Sequence, residues 1–263
     1  MEKSKDDVKI LYSRYPFGDF EYDRSKYNPL LKDFLKLRKK GNILYDIGCG
    51  NGYWFRIYSL YGFTKNKIRG VDLSRKSVEH LNRLGYRVIE GNVLGLNLTH
   101  NVSDMTVCDG VIHHTADPSK SFRELVRITK PNGHIYINVY NKFHPYHYIV
   151  YWAAWPLRYA YWNINKKAVV PFQDMAVPIL KFVLFLLTRK VVTSKTARTI
   201  FMDQVITPYA HLFTKNELIN LAKRNGCKVM SLKYNKYYSM ISAILKVQKS
   251  SFPEVSHRQS IKE

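Results

Sequence analysis

Three glycines, a pair of histidines and a few carboxylates are the residues of this chain whose types and spacing could do chemistry. The glycines fall in Leu44-Tyr45-Asp46-Ile47-Gly48-Cys49-Gly50-Asn51-Gly52. The apolar start reads as a buried strand entering a turn, and a helix is predicted from about Tyr53. Glycine tolerates positive φ and has no Cβ, so such a turn can lay backbone against a ligand. Doubly wound folds hold nucleotides at the carboxyl end of this first strand. A dinucleotide fingerprint would read G-x-G-x-x-G; here the third glycine comes one position early, at Gly52, with Tyr53 in the expected place. Asp46 sits on the strand just before the turn. Asp72 ends the next apolar run, Ile68 to Leu73, where an acid can accept hydrogen bonds from both hydroxyls of a ribose. His113 and His114 follow a run ending at Asp109, and His211 comes later. An imidazole with a pKa of about 6.5 suits general-base work.

These residues need a frame of alternating strands and helices. Val88-Ile89-Glu90-Gly91-Asn92-Val93 reads as a third strand and its turn, and Asp104 to Asp109 as a fourth strand. Phe122, Leu125, Val126 and Ile128 mark a helix, followed by the turn Lys130-Pro131-Asn132-Gly133 and a fifth strand, His134 to Val139. In this order across residues 42–140 the chain resembles the class I S-adenosylmethionine-dependent methyltransferases. Glycines that merely make turns in some other α/β domain would not reproduce four such segments at this spacing.

The resemblance implies an α/β fold: a doubly wound, seven-stranded Rossmann-like sheet with an antiparallel last strand and a helical insert or cap. It implies S-adenosylmethionine as methyl donor, held by Asp46, Gly48, Cys49, Gly50, Gly52, Asp72, Leu73, Asn92, Val93 and Asp109, with no metal expected. Relatives usually carry Asp where this chain has Asn92; the amide oxygen can still accept from an adenine amino group, without charge assistance. The family's Pro-Gly-Gly turn is here Pro131-Asn132-Gly133, a mild change because Asn tolerates the left-handed conformation.

Around this core the chain divides into five parts. Residues 1–41 are expected to form an N-terminal lid or helix, with Tyr12 and Tyr15 as candidates to close over the site and a helix near 28–39. Residues 42–140 are the cofactor-binding core. Residues 141–200 are aromatic and basic, with Trp152, Trp155 and Trp162 and nine Lys or Arg against one acid, Asp174. They read as a helical insert, a cap over the acceptor with a role in membrane contact as an addition or alternative. Neither of its apolar stretches is long enough to span a bilayer, which takes about 20 apolar residues. Residues 201–248 return to the core. Asp203, Tyr209 and His211 are candidates for the acceptor pocket. Thr214 and Glu217 fit a capping box, and two antiparallel closing strands follow, near 228–234 and 238–247. Residues 249–263 are polar and expected to be disordered.

The 263 residues fit one domain with a cap. Three cysteines, Cys49, Cys108 and Cys227, suggest reduced thiols. The charged start lacks a signal core, so a cytoplasmic protein is expected, with the inner membrane surface as a peripheral location. The net charge of +22 draws a protein to nucleic acid, phospholipid or acidic protein. The leading reading is methyl transfer to a small or lipid-like acceptor, with His113, His114 or His211 as base. The alternatives are an RNA methyltransferase, motivated by the charge, and a non-catalytic protein that binds S-adenosylmethionine.

Overall fold

The computed structural model describes residues 5–15, 28–235 and 239–248. The expected disordered tail and the N-terminal motif beyond Tyr15 lie outside these residues. Two helices come first, α1 (Lys5–Arg14) and α2 (Pro29–Leu35). Pro29 stands at the start of α2, where its missing N–H costs nothing. Strands and helices then alternate as β1 (Leu44–Ile47), α3 (Tyr53–Leu60), β2 (Ile68–Asp72), α4 (Arg75–Arg83), β3 (Arg87–Glu90), β4 (Ser103–Asp109), α5 (Pro118–Ile128) and β5 (Thr129–Tyr140). A helical segment follows, with α6 (Pro145–Ala153), α7 (Trp155–Tyr159), α8 (Val170–Thr188) and α9 (Ser194–Phe201). The chain ends its described part in α10 (Lys215–Arg224), β6 (Cys227–Tyr234) and β7 (Met240–Val247).

The seven strands form one sheet in the order β3-β2-β1-β4-β5-β7-β6. β7 runs antiparallel to both its neighbours, and the remaining neighbouring pairs are parallel. This is the expected architecture. Its central strands are buried on both faces, and β5 shows how: Ile135, Ile137 and Val139 point into one core with Phe122, Leu125 and Leu218. Tyr136 alternates into the other core, with Phe34, Phe55, Tyr58 and Leu81. β5 begins earlier than the sequence predicts, because Thr129 already pairs with Ser103. Asn132 takes φ 63°, the left-handed conformation expected of that turn.

Strand order reverses between β1 and β4, so the crevice at their carboxyl ends is where a ligand belongs. The helical segment covers that edge. It leaves the sheet after β5 and returns where Phe213 N–H donates to the Tyr140 carbonyl at 2.9 Å and Lys142 N–H to the Phe213 carbonyl at 2.8 Å. Leu11 of α1 is buried with Tyr161, Val169, Phe201, Met202 and Ile206, joining α1 to the cap. Helix continues past residue 200 into a π turn, Met202–Ile206. The Thr214–Glu217 capping box forms as predicted and starts α10.

Candidate active site

Gly48, Gly50 and Gly52 all have positive φ, at 77°, 51° and 75°. Their uses differ. A Cβ on Gly48 would lie 2.3 Å from Val111 Cγ2, so glycine lets the turn pass under the loop after β4. A Cβ on Gly52 would lie 2.5 Å from Leu81 Cδ2, so that glycine serves the packing of α3 on α4. Gly48 and Gly50 line a cavity of about 400 Å³ at the carboxyl edge of the sheet.

Three residues expected at the cofactor are not among those lining this cavity. Gly52 is one. Cys49 is buried against β2, its Sγ lying where a Cβ on Gly70 would meet it at 2.7 Å. Asp46 is buried beneath the turn and accepts a 2.8 Å hydrogen bond from the Tyr58 hydroxyl. Burial pushes its carboxyl up to about 8. Asp46 therefore supports the turn from below.

Asp72 does reach the cavity. Its Oδ2 accepts from Gly50 N–H at 2.7 Å and its Oδ1 from Ser74 N–H at 2.8 Å. These bonds still leave the carboxylate a lone pair for a ligand hydroxyl. Burial raises its pKa, and the backbone donors of Ser74, Gly50 and Leu73 oppose that shift. Leu73, Asn92 and Val93 line the same end. The Asn92 oxygen already accepts from Leu94 N–H at 2.9 Å, which fixes the turn and leaves one lone pair on that oxygen. Asp109, at the end of β4, accepts from Trp54 Nε1 at 2.7 Å and Asn138 Nδ2 at 2.6 Å.

The other end of the cavity lies against the helical segment, through Leu184 and Ile200. A 3-10 turn, Ile112–His114, brings both histidines to the cavity wall. The His113 ring lies 3.9 Å from that of Tyr140, tilted by 30°, fully buried and with no hydrogen-bond partner at either nitrogen. Burial, reinforced by His114, His147 and His211, holds it well below the usual imidazole range. His114 is placed differently. Its Nδ1 lies 3.0 Å from the Tyr209 carbonyl and 3.2 Å from Thr207 Oγ1. A carbonyl only accepts, so Nδ1 carries the proton and Nε2 keeps its lone pair. That Nε2 is 3.6 Å from Asp203 Oδ1. Asp203 sits in the π turn and accepts from the Tyr12 hydroxyl at 2.7 Å and the Tyr140 hydroxyl at 3.1 Å.

Of the candidates for the acceptor pocket, Tyr12, Asp203 and Tyr209 line this cavity, and two do not. His211 is half-exposed and bonded to Glu217, because the backbone turns its ring outward after His211 N–H meets the His113 carbonyl at 2.8 Å. Tyr15, just past the end of α1, packs against the same cluster as Tyr12 but lines a second pocket instead of this cavity. The sequence reading also missed Trp54, Asn138 and His147, all of which line the cavity. His147 stacks 4.1 Å from Tyr140, and burial lowers it to about 4. Its aromatic neighbourhood was the available signal; nothing local marked Asn138.

The wall has an electrostatic character opposite to the whole chain. Among the described residues it holds Asp72, Asp109 and Asp203 and no Lys or Arg, although Lys and Arg outnumber Asp and Glu by 42 to 20 overall. Such a site favours a cation.

Residues 45–137 match the family model described as a methyltransferase domain. A structure of an S-adenosylmethionine-dependent methyltransferase from Aquifex aeolicus has the same fold, with a TM-score of 0.53 and 16% identity over 94% of this chain and all of that one. Residues 45–137 thus match a methyltransferase domain, and the fold is that of S-adenosylmethionine-dependent methyltransferases. A Burkholderia thailandensis 1,6-didemethyltoxoflavin-N1-methyltransferase, solved with S-adenosylhomocysteine, shares the domain's fold at a TM-score of 0.54 and 12% identity, over 86% of this chain and 80% of that one. By sequence the chain is similar to a tRNA U34 carboxymethyltransferase of Campylobacter curvus, 26% identical over 152 residues. That match takes in 52% of this chain and 50% of the relative, so the chain spans about half of it. S-adenosylmethionine, the cofactor of this domain class, fits the cavity: glycine backbone free of Cβ, a carboxylate with a spare lone pair, and an acidic wall for a sulfonium.

Proposed function

We propose that the protein transfers a methyl group from S-adenosylmethionine to a small or lipid-like acceptor whose reacting group is not anionic. The observation that carries this reading is the acid-lined, cation-free cavity beneath an apolar roof that includes Leu184 and Ile200. A carboxylate or phosphate acceptor would find no cation in that wall.

When bound, S-adenosylmethionine supplies an electrophilic methyl on a positively charged sulfur. The chain's own residues would hold and align the reactants. Asp72 accepts from the ribose hydroxyls, the last lone pair of the Asn92 oxygen from the adenine amino group, and the Gly48–Gly50 backbone lies alongside. Aligned approach can lower a barrier by roughly 7–11 kcal/mol. His114 is the base this geometry favours over His113: its Nε2 takes the proton that leaves the acceptor, and Asp203 stabilises the imidazolium. Such a base contributes about 10²- to 10⁴-fold. His113, unpartnered and held neutral, forms the wall.

A second reading, methylation of RNA, is favoured by the name of the Campylobacter relative. There the phosphates would lie on the basic exterior and one base would enter the cavity. Incubation with labelled S-adenosylmethionine and cell extract separates the two. Label in lipid or small metabolites, lost with His114→Gln, is the expected result; label in RNA would replace it with the second reading. Absence of S-adenosylmethionine binding by calorimetry would defeat both.

A further inference from the structure

The cap contains a second pocket, outside the methyl-transfer cavity, lined by Arg14, Lys166, Lys167, Asn165 and Gln173 among others. None of its lining residues is acidic. Lys166 lies over the Trp162 ring at 5.6 Å and Arg14 over Tyr15 at 5.8 Å, so aromatic faces accompany these two cations. Gln173 is 8% exposed, and its amide nitrogen has no hydrogen-bond partner. Residues 165–170 lead into the N-terminus of the 19-residue α8, whose dipole adds a further positive end. Cations, a spare buried donor and a helix start together describe a site for a phosphate group.

The surface beside this pocket tells which phosphate. One face of helix α8 is apolar and exposed. Gln173 and Val177 face inward, while Phe172, Met175, Ile179, Phe182 and Leu186 are 46–63% exposed; the charged residues of the helix are Asp174, paired with Arg198, and Lys181. A continuous exposed apolar face of this kind marks contact with protein or lipid. Exposed Trp152 and Trp155 extend the apolar surface of the cap, and Trp is enriched at the headgroup level of bilayers. The 141–200 segment has nine Lys or Arg and one acid, the charge complement of an anionic leaflet. No helix among the described residues is long and apolar enough to cross a membrane, so α8 would lie in the interface plane. We propose that the cap docks on an anionic phospholipid surface, with a lipid phosphate in the Arg14–Lys166–Lys167–Gln173 pocket and the outer face of α8 in the headgroup boundary. This inference does not depend on which acceptor is methylated.

The test uses the full chain with vesicles of phosphatidylcholine alone or mixed with phosphatidylglycerol, read by co-sedimentation and tryptophan emission. Binding to the mixed vesicles with a blue shift is expected, weakening as salt rises. Lys166→Gln with Lys167→Gln should weaken it about 30-fold, from ~1 kcal/mol per cation near such a surface. Ile179→Gln with Phe182→Gln should weaken it at least about tenfold, and both pairs, being exposed, should keep the wild-type melting temperature. Gln173→Leu should lower the preference for phosphatidylglycerol without abolishing binding. Equal binding to both vesicle types, or none to either, would overturn the proposal. Stabilisation by inorganic phosphate without vesicle binding would instead make the pocket a site for free phosphate. Self-association abolished by Ile179→Gln with Phe182→Gln, again without vesicle binding, would make the α8 face a subunit contact.

Discussion

Asp72→Asn tests the cofactor site without knowledge of the acceptor. The carboxylate lies at the end of β2 with one backbone donor on each oxygen, from Gly50 and Ser74. Asparagine replaces one oxygen by an NH₂ that cannot accept, so one backbone N–H loses its partner and the ribose loses a charged acceptor. Hydrogen bonds to charged groups are worth about 1.5–3 kcal/mol each. A net loss of about 2–3 kcal/mol corresponds to roughly 30- to 150-fold weaker binding. The assay is calorimetric titration with both S-adenosylmethionine and S-adenosylhomocysteine. Ribose is common to the two ligands, so both should weaken by the same factor. The thioether lacks the positive charge, so a loss confined to S-adenosylmethionine would place Asp72 beside the sulfonium and refute the assignment. Unchanged affinity for both would remove Asp72 from the site altogether.

Three further perturbations follow from the same geometry. Gly48→Ala meets Val111 at 2.3 Å with φ 77°, and the left-handed backbone alone costs a β-carbon about 1–2 kcal/mol; the melting temperature should fall, and adding Val111→Ala should restore only the steric part. Asp46 keeps its proton in the fold up to about pH 8 but releases it near 3.8 when unfolded. The folded state therefore binds more protons across that window, and stability should fall as pH rises through it; Asp46→Asn should flatten the dependence of melting temperature on pH. Asp203→Asn leaves the imidazolium of His114 without its carboxylate at 3.6 Å. It should slow labelling of the extract by about 10²-fold or more, whereas His211→Gln, outside the cavity, should leave labelling unchanged.

The parts of the site that were legible in the sequence are local. A strand ending in a glycine turn fixes Gly48 and Gly50, and an acid at the end of the next strand fixes Asp72, because each is positioned by its own few neighbours. Asp46, Cys49 and Gly52 do not line the cavity, since strand alternation and the turn direct them into the packing beneath it. His113 and His114 could not be told apart. Their difference arises from Thr207, Tyr209 and Asp203, far downstream in the chain, which reach His114 through the return of the helical segment. Asn138 enters through its pairing with Asp109 across adjacent strands, and Trp54 through a helix start that the sequence reading located without reading its direction.

The opposite signs of charge inside and outside the protein should separate in salt. At physiological ionic strength charges are screened over about 8 Å, so the basic exterior of a chain with net charge +22 acts mainly on surfaces that come into contact with it. A cavity wall of buried Asp72 and Asp203 and partly buried Asp109 is screened much less. Raising salt should therefore release the chain from anionic vesicles while changing its affinity for S-adenosylmethionine little. Titration of both ligands at low and high salt checks this. If the two affinities fell together, cofactor binding would owe its charge preference to exposed groups, and the acidic cavity could not be what selects the sulfonium.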